Sequence, residues 1–570
     1  MNQKLKTSAF KHLNIFTLFI TVSCHLGFFT AQGVACGGLF CDNTQPVNQA
    51  AERILFAHDE AEGLMHMHVQ ITYQGPPDAF SWLLPVPPGT SFGLSRPELF
   101  RELDRLYAPM FSLNLIEAEY CPRGNNRSLV AFQSIDDVEA PTLEEEVQVT
   151  SQSQVGPYDQ VTLRADQVSS LITWLDENGY QVPPNAEETL MPYIDAYEFL
   201  AIKLSAGQES GDIQPVALKF LGDVATIPLR PTAVAAEPDM GVIVHLLGPS
   251  RGVPSNYQHV ELNLAALDWF NAPTHYAQLV SHAVDEAEDG HAFVTDFAGA
   301  HGFSAEQIVP LISPNLVLAM EEVRDSEALY EVLIRLLEGP VLPDLDQVLI
   351  GALPFAREQN QALIELARAE APLSNVEVSA IIYDVDGLSQ TVDGAATAQA
   401  LGSYNRGGQD IQRLFSINGY MTRLYTTLNA AEMDVDPSFT FNPDLNDVPR
   451  ERVADLHLDC NGSFDRLITP EGYELDLSGS ELFEEIERQN GETIRGQEVV
   501  GAALISRTMS AGQAEIVSDQ RERLSELYKI PVVEAGGVFG CEQNRGTRID
   551  ILSLFVGLFI FIWRIRRAQA

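Results

Sequence analysis

The sequence predicts an α+β protein with a strand-rich, sandwich-like N-terminal part, a helical middle, a mixed C-terminal part and a single C-terminal membrane helix. Three observations carry that expectation. Apolar residues alternate at period two early in the chain, recur at helical spacing between about residues 263 and 375, and close up into an uninterrupted run before the C-terminus. With 45% hydrophobic and 20% charged residues in 570, the chain can bury a sizeable core and is globular rather than disordered. No repeat of fixed period is present, which argues against a solenoid or propeller.

Residues 1–35 open with Lys4, Lys6 and Lys11, turn apolar from Ile15 to Phe29, and reach small residues at Ala31, Gly33 and Ala35. That order reads as a secretory signal peptide. Residues 36–262 form the strand-rich part. Met65 to Tyr73 alternates at period two, Gly75-Pro76-Pro77-Asp78 breaks the run as a turn, and Phe80 to Pro87 reads as the return strand. A helix is expected over Pro97–Tyr107. Strands are expected at 147–149 and 161–163, and a helix over Asp166–Asn178 from the stripe Val168, Leu171, Ile172 and Leu175, stopped by Gly179. Strands return over 199–247, and Gly241 to Leu247 is apolar enough to be buried on both faces.

Residues 263–375 read as mainly helical, with helices at 264–270, 275–288, 326–337 and 358–369. Residues 376–470 read as strands mixed with acidic loops. Residues 471–548 shift toward Glu and Gln and read as an accessory or stalk region, with helices at 480–489 and 514–527. The membrane helix and basic tail occupy 549–567. Thirteen residues, Ile551 to Trp563, reach only about 20 Å as a helix. A bilayer core of about 30 Å is therefore spanned only if Ile549 and Ile565 join and the flanking Arg564, Arg566 and Arg567 snorkel. Those arginines favour a cytoplasmic C-terminus before any processing, with the body in the periplasm or on the cell surface. Gly540-Cys541, the short apolar helix and the arginine cluster together resemble the tripartite sorting tails of bacterial surface proteins, closest to the myxobacterial type. That resemblance implies cleavage or lipid attachment near Cys541.

Six cysteines agree with export. Cys24 leaves with the signal peptide and Cys541 belongs to the tail, so Cys36, Cys41, Cys121 and Cys460 remain. Four in an exported chain suggest two disulfides with three possible connectivities. Lipidation at Cys36 competes, but Gly33 is a poor match to the aliphatic residue a lipoprotein signal wants there.

The formal net charge is −44, and both ends are basic, so the body between them is more acidic still. Such a body repels nucleic acid and anionic lipid. Gly248-Pro-Ser250-Arg-Gly252 matches a nucleophile-elbow pattern after an apolar strand, but Gly252, Pro254 and Ser255 follow where a helix is required. A Gly/Pro turn is the favoured reading of Ser250, with His275, His282 and Asp285 as available partners. His66 and His68 share one strand face at a spacing a metal could use, without a third ligand nearby. Asp384, Asp386, Asp434, Asp436 and Asp444 alternate in two acidic segments as calcium ligands would, yet neither segment completes a calcium loop. No glycine-rich phosphate loop is present. The expectation is no cofactor, calcium excepted.

Several motifs occur together and in order: Cys36-Gly-Gly-Leu-Phe-Cys41 with Gln45 to Ala50, Phe80-Ser-Trp-Leu-Leu-Pro-Val-Pro87, Gly211 to Pro215 with Ile227 to Arg230, and Tyr420 to Thr427 with Phe441 to Asp444. Over roughly residues 36–460 the chain resembles an uncharacterised family of exported bacterial proteins, domain of unknown function 2330. The family implies an exported context and brings no catalytic residues. The sequence-based expectation is an exported, membrane- or surface-anchored envelope protein that binds or scaffolds an extracellular or periplasmic partner without catalysis. The alternative is an exported hydrolase acting on an envelope polymer or peptide.

Overall fold

The computed structural model describes residues 48–529, apart from 75–79, 118–147, 181, 183–185, 206–212, 235, 304, 339–342, 478–492, 495–496 and 499. The predicted signal peptide, the 480–489 helix, the 549–567 segment with its arginines, and Cys36, Cys41, Cys121 and Cys541 lie outside the described residues. Among the described residues no helix is long and apolar enough to cross a membrane.

The fold is mixed α+β around one large sheet. Its ten strands are β1 (Asn48–Asp59), β2 (Leu64–Gln74), β3 (Ser91–Leu94), β4 (Val216–Leu221), β5 (Ala236–Gly248), β6 (Gln258–Leu262), β7 (Ala292–Ala300), β8 (Tyr420–Leu428), β9 (Ala502–Arg507) and β10 (Glu515–Asp519). Their order is β10-β9-β6-β7-β8-β5-β1-β2-β4-β3. Within this sheet β1 with β5 and β6 with β7 run parallel, and the other neighbours are antiparallel. The central strands are apolar on both faces, so β1 buries Ile54, Leu55, Phe56 and Ala57 in succession. One buried cluster joins one face of this sheet to three smaller sheets, through residues such as Trp82, Ile202, Phe439 and Leu456. A second cluster covers the other face, where Leu55, Ala57, Leu247 and Met421 meet two helices, α1 (Pro97–Tyr107) and the long helix that precedes β8.

Between β7 and β8 lies a helical bundle. Leaving aside the four-residue turn 305–308 and α2 (Ala272–Asp285), which precedes β7, its helices are α3 (Pro314–Glu321), α4 (Ser326–Leu337), α5 (Pro343–Ala352), α6 (Arg357–Arg368), α7 (Val376–Ile382) and α8 (Ala395–Ile417). Local chemistry starts these helices. Pro273 stands in the first turn of α2, the Asp325 carboxylate accepts from Ala328 N at 2.9 Å to cap α4, and Asn375 caps α7. The bundle has its own core, built on residues such as Leu333, Leu349, Leu363 and Ile382. Helix α8 serves both cores: Leu401 and Tyr404 lie in the bundle, while Ile411, Leu414 and Phe415 lie against the sheet.

Several sequence expectations are corrected. Ser81–Val86 is a strand but not the return strand of a β2 hairpin: it pairs with Glu198–Leu204 in a separate four-stranded sheet. The neighbours of β2 are β1, joined by a tight turn with Gly63 at φ +65°, and β4. The helix expected at 264–270 is one 3-10 turn, Leu264–Ala266, because Pro273 restarts the chain as α2. Within 376–470 a helix of 23 residues, α8, was missed, since Gly402, Gly407 and Gly408 mask its periodicity. The helix expected at 514–527 forms only over Arg521–Leu527; before it, the β-branched pair Ile516 and Val517 extends as β10. Residues 502–519, read from sequence as part of an accessory stretch, thus supply two strands of the main sheet.

Candidate ligand-binding cleft

At the β3 edge of the sheet, the bundle stands off and leaves a cleft of about 840 Å³, a size typical of small-molecule sites. Its walls come from β2, β3 and β4 on one side and from α5, α6 and α8 on the other. Strand pairing explains one wall. Lys219 on β4 stands opposite both His66 on β2 and Ser91 on β3, while Ala217 stands between His68 and Gly93. Small residues on the helices, Gly351, Ala352, Ala396, Ala400 and Gly407, keep the other wall back.

Three ionisable groups of the cleft wall, Lys219, His68 and Arg96, are engaged by neighbouring residues. Lys219 Nζ pairs with Asp410 on α8. His68 is buried, with Nδ1 2.7 Å from Ser95 Oγ. Burial first, then the neighbouring His66 and Lys219, push its pKa down to about 3, so the ring is neutral. Arg96 donates through Nε and Nη2 to Glu98 at 3.0 and 2.9 Å, and through Nη1 to the Tyr404 carbonyl at 3.2 Å. Its guanidinium carbon lies 3.4 Å from the Tyr404 ring centre, a cation–π contact. The Tyr404 hydroxyl donates to Glu98. Gln214, Gln347, Gln399, Ser91 and Ser403 add uncharged donors and acceptors, and Phe92 adds an aromatic face.

Glu98 and Asp344 form a buried carboxyl pair just behind this wall. Glu98 is in the first turn of α1, and Asp344 in the first turn of α5. Burial opposes ionisation of Glu98, but the hydrogen bonds from Arg96 and its other neighbours outweigh it and hold the carboxyl well below its usual range. Burial, then the contact with Glu98, pushes Asp344 up to about 7, with Arg101 opposing at 3.4 Å.

Of the candidate site residues named from sequence, His68 alone lines this cleft. Ser250 sits on the short turn between β5 and the strand Arg251–Pro254, so a strand and not a helix follows it. His275 Nδ1 accepts from Asp268 N at 3.0 Å, and His282 stands 3.7 Å from Glu286, both on or beside α2. His66 is 1% exposed and neither ring nitrogen has a hydrogen-bond partner.

Four of the five acidic candidates have partners within the protein. Asp384 Oδ1 accepts from Asp386 N and Leu388 N, both at 2.9 Å, which makes that segment a self-capped turn. Asp434 meets His291 Nε2 at 2.9 Å, Asp436 accepts from the Tyr193 hydroxyl at 2.6 Å, and Asp444 accepts from Gly512 N at 2.7 Å. Among the described residues no group of three or more His, Cys, Asp or Glu side chains is placed to hold a metal ion.

Sequence reasoning missed Ser95, Arg96, Glu98, Lys219, Asp344, Tyr404 and Asp410. They come from distant stretches of chain, and the one local signal, Arg96-Pro97-Glu98 before an apolar stripe, reads as an ordinary helix start.

Residues 30–307 match a family described as uncharacterized proteins conserved in bacteria, DUF2330. The match stops short of two motif groups noted in the sequence, Tyr420 to Thr427 and Phe441 to Asp444. No curated protein and no solved structure matches the chain.

Proposed function

We propose, for a chain that belongs to this bacterial family over residues 30–307, that it is an exported envelope protein which binds an uncharged saccharide in the cleft and does not turn it over. The observation that carries this is the internal pairing of three ionisable groups in the cleft wall: Lys219 with Asp410, Arg96 with Glu98, and a neutral His68 with Ser95. A charged ligand at Lys219, Arg96 or His68 would have to break one of those pairs. Amides, hydroxyls and an aromatic face suit a hydroxyl-rich ring instead. The formal charge of −44 also disfavours anionic polymers.

Calorimetric titration of the full chain with neutral gluco- and chito-oligosaccharides, beside uronic-acid and sulfated analogues, tests the reading. Binding of a neutral oligosaccharide is expected, with at least a tenfold loss in Gly351→Phe, which fills open space on the cleft wall of α5. Binding of the charged analogues alone would end the proposal.

Export is supported by the basic, apolar and small-residue order of 1–35, and anchoring by the tail around 549–567. An oxidising destination fits a disulfide at Cys460. The strands Met110–Glu117 and Glu451–Leu458 run parallel and finish with Glu117 opposite Leu458. We therefore expect Cys121 to be the partner of Cys460, leaving Cys36 with Cys41. Peptide mapping without reduction should recover 121 joined to 460; a 36–460 or 41–460 product would refute it.

One observation favours a second reading, an exported hydrolase: the 2.7 Å contact of Ser95 Oγ with His68 Nδ1 in the cleft wall. A ring whose pKa is down at about 3 is a weak proton acceptor, which places this reading second. Ester or glycoside turnover lost in Ser95→Ala would reverse the ranking.

A further inference from the structure

Helix α5 contributes Gln347, Val348, Gly351 and Ala352 to the cleft, and its first turn meets α1 through carboxyl groups. Asp344 Oδ2 is buried without a hydrogen-bond partner. The group it adjoins is Glu98, whose oxygens already accept from Arg96 and Tyr404 and which is 2% exposed. Two carboxylates offer only acceptors to each other, so this contact becomes a hydrogen bond when one proton lies between them.

The surrounding charges leave that proton on Asp344. Arg96 is committed to Glu98. Arg101 on α1 reaches Asp344 at 3.4 Å but is half exposed. Tyr404 on α8 donates to Glu98. Arg368 on α6 is taken by Asp346, the other acid in the first turn of α5. Among the described residues, Arg101 is the cation that offsets the Asp344 carboxyl.

We propose that the Glu98–Asp344 pair is a proton-held latch that docks α5 against α1 and so sets the width of the cleft. Its functional meaning rests on the binding reading of that cleft; its operation does not. The direction follows from linkage. An unfolded aspartate ionises near 4, whereas Asp344 is pushed up to about 7 by burial and by Glu98. Across that window the folded protein holds a proton that the unfolded chain has lost. The latch is thus fully closed at the acid end and is released as pH rises through about 7. Once Asp344 ionises, two buried carboxylates face each other with Arg101 as the one added screen, and α5 loosens while the rest of the bundle core is untouched.

Hydrogen exchange of the full chain, read by mass spectrometry and corrected for the intrinsic rate at each pH, tests this without any ligand. Protection over α5 should fall about tenfold relative to α4, by linkage, between pH 6 and pH 8, with α4 reporting any loss of stability shared by the whole protein. Asp344→Asn keeps a donor toward Glu98 and should abolish the pH step. Arg101→Gln removes the screen and should move the step to higher pH, which keeps the test decisive if the first variant folds poorly. An α5 without a pH step, or a step that persists in Asp344→Asn, overturns the latch. Loosening of α5 in a protein that binds no neutral oligosaccharide at pH 6 upholds the latch and overturns the ligand reading instead.

Discussion

Glu52 shows how a single buried acid ties this fold to pH. It stands on β1 opposite Val242 and Ile71, is 3% exposed, and its Oε2 has no hydrogen-bond partner. Burial alone pushes its pKa from 4.5 up to about 7. The folded state keeps a proton that the unfolded state loses across that window, so stability falls as pH rises from about 4.5 to about 7. Glu52→Gln should raise stability at pH 8 by about 2–3 kcal/mol and change little at pH 4.5, as read from urea unfolding at both values. Asp296 is buried as well, but it has partners. It is the extra residue of a bulge in β7, fully buried, and its carboxylate meets Arg423 and the Tyr276 hydroxyl. Asp296→Ala would leave Arg423, 7% exposed in its side chain, with Asp104 alone at 3.2 Å. A loss of about 3–5 kcal/mol is expected in the same unfolding experiment.

At the scale of the element, α8 is the most demanding piece. Its N-terminus lies so close to α3 that a Cβ on Gly394 would sit 2.0 Å from the Met320 carbonyl oxygen. Gly394→Ala should therefore destabilise by about 2 kcal/mol or more, because backbone and not a movable side chain is in the way. A denaturation midpoint unchanged within error would show that the two helices part more easily than this contact implies. Sequence reading succeeds where one periodicity and one stop signal act together. Helices α1, α4 and α6 and the helix Val168–Glu177 each present an apolar stripe closed by a clear terminus, and each is legible. It fails for α8, whose two halves face different cores and whose Gly408 serves close approach: the nearest atoms to a Cβ on Gly408 are Leu311 Cδ2 at 2.6 Å and Arg96 Nη1 at 2.7 Å. The cleft was illegible for a related reason. His68 was visible as a strand histidine, but its partner Ser95 and the acids Glu98, Asp344 and Asp410 gain meaning only when β2, α1, α5 and α8 are brought together.

In the whole molecule, strands from early and late in the chain share one sheet. A chain truncated after Val500 loses β9 and β10 and bares β6 as a new edge. Such a chain should aggregate at concentrations where the full chain remains monodisperse by light scattering. The central register has a further consequence, for biogenesis. Strand β8 separates β5 from β7, yet it lies more than a hundred residues downstream of both. At a synthesis rate of about 5–20 residues per second, β5 and β7 wait on the order of ten seconds for the neighbour they share. Contacts of such high order make folding slow and leave strand edges uncovered meanwhile. A polypeptide threaded through a membrane N-terminus first would gain no pulling force from early domain closure. It would depend on holdase-type chaperones on the far side until residue 428 had arrived.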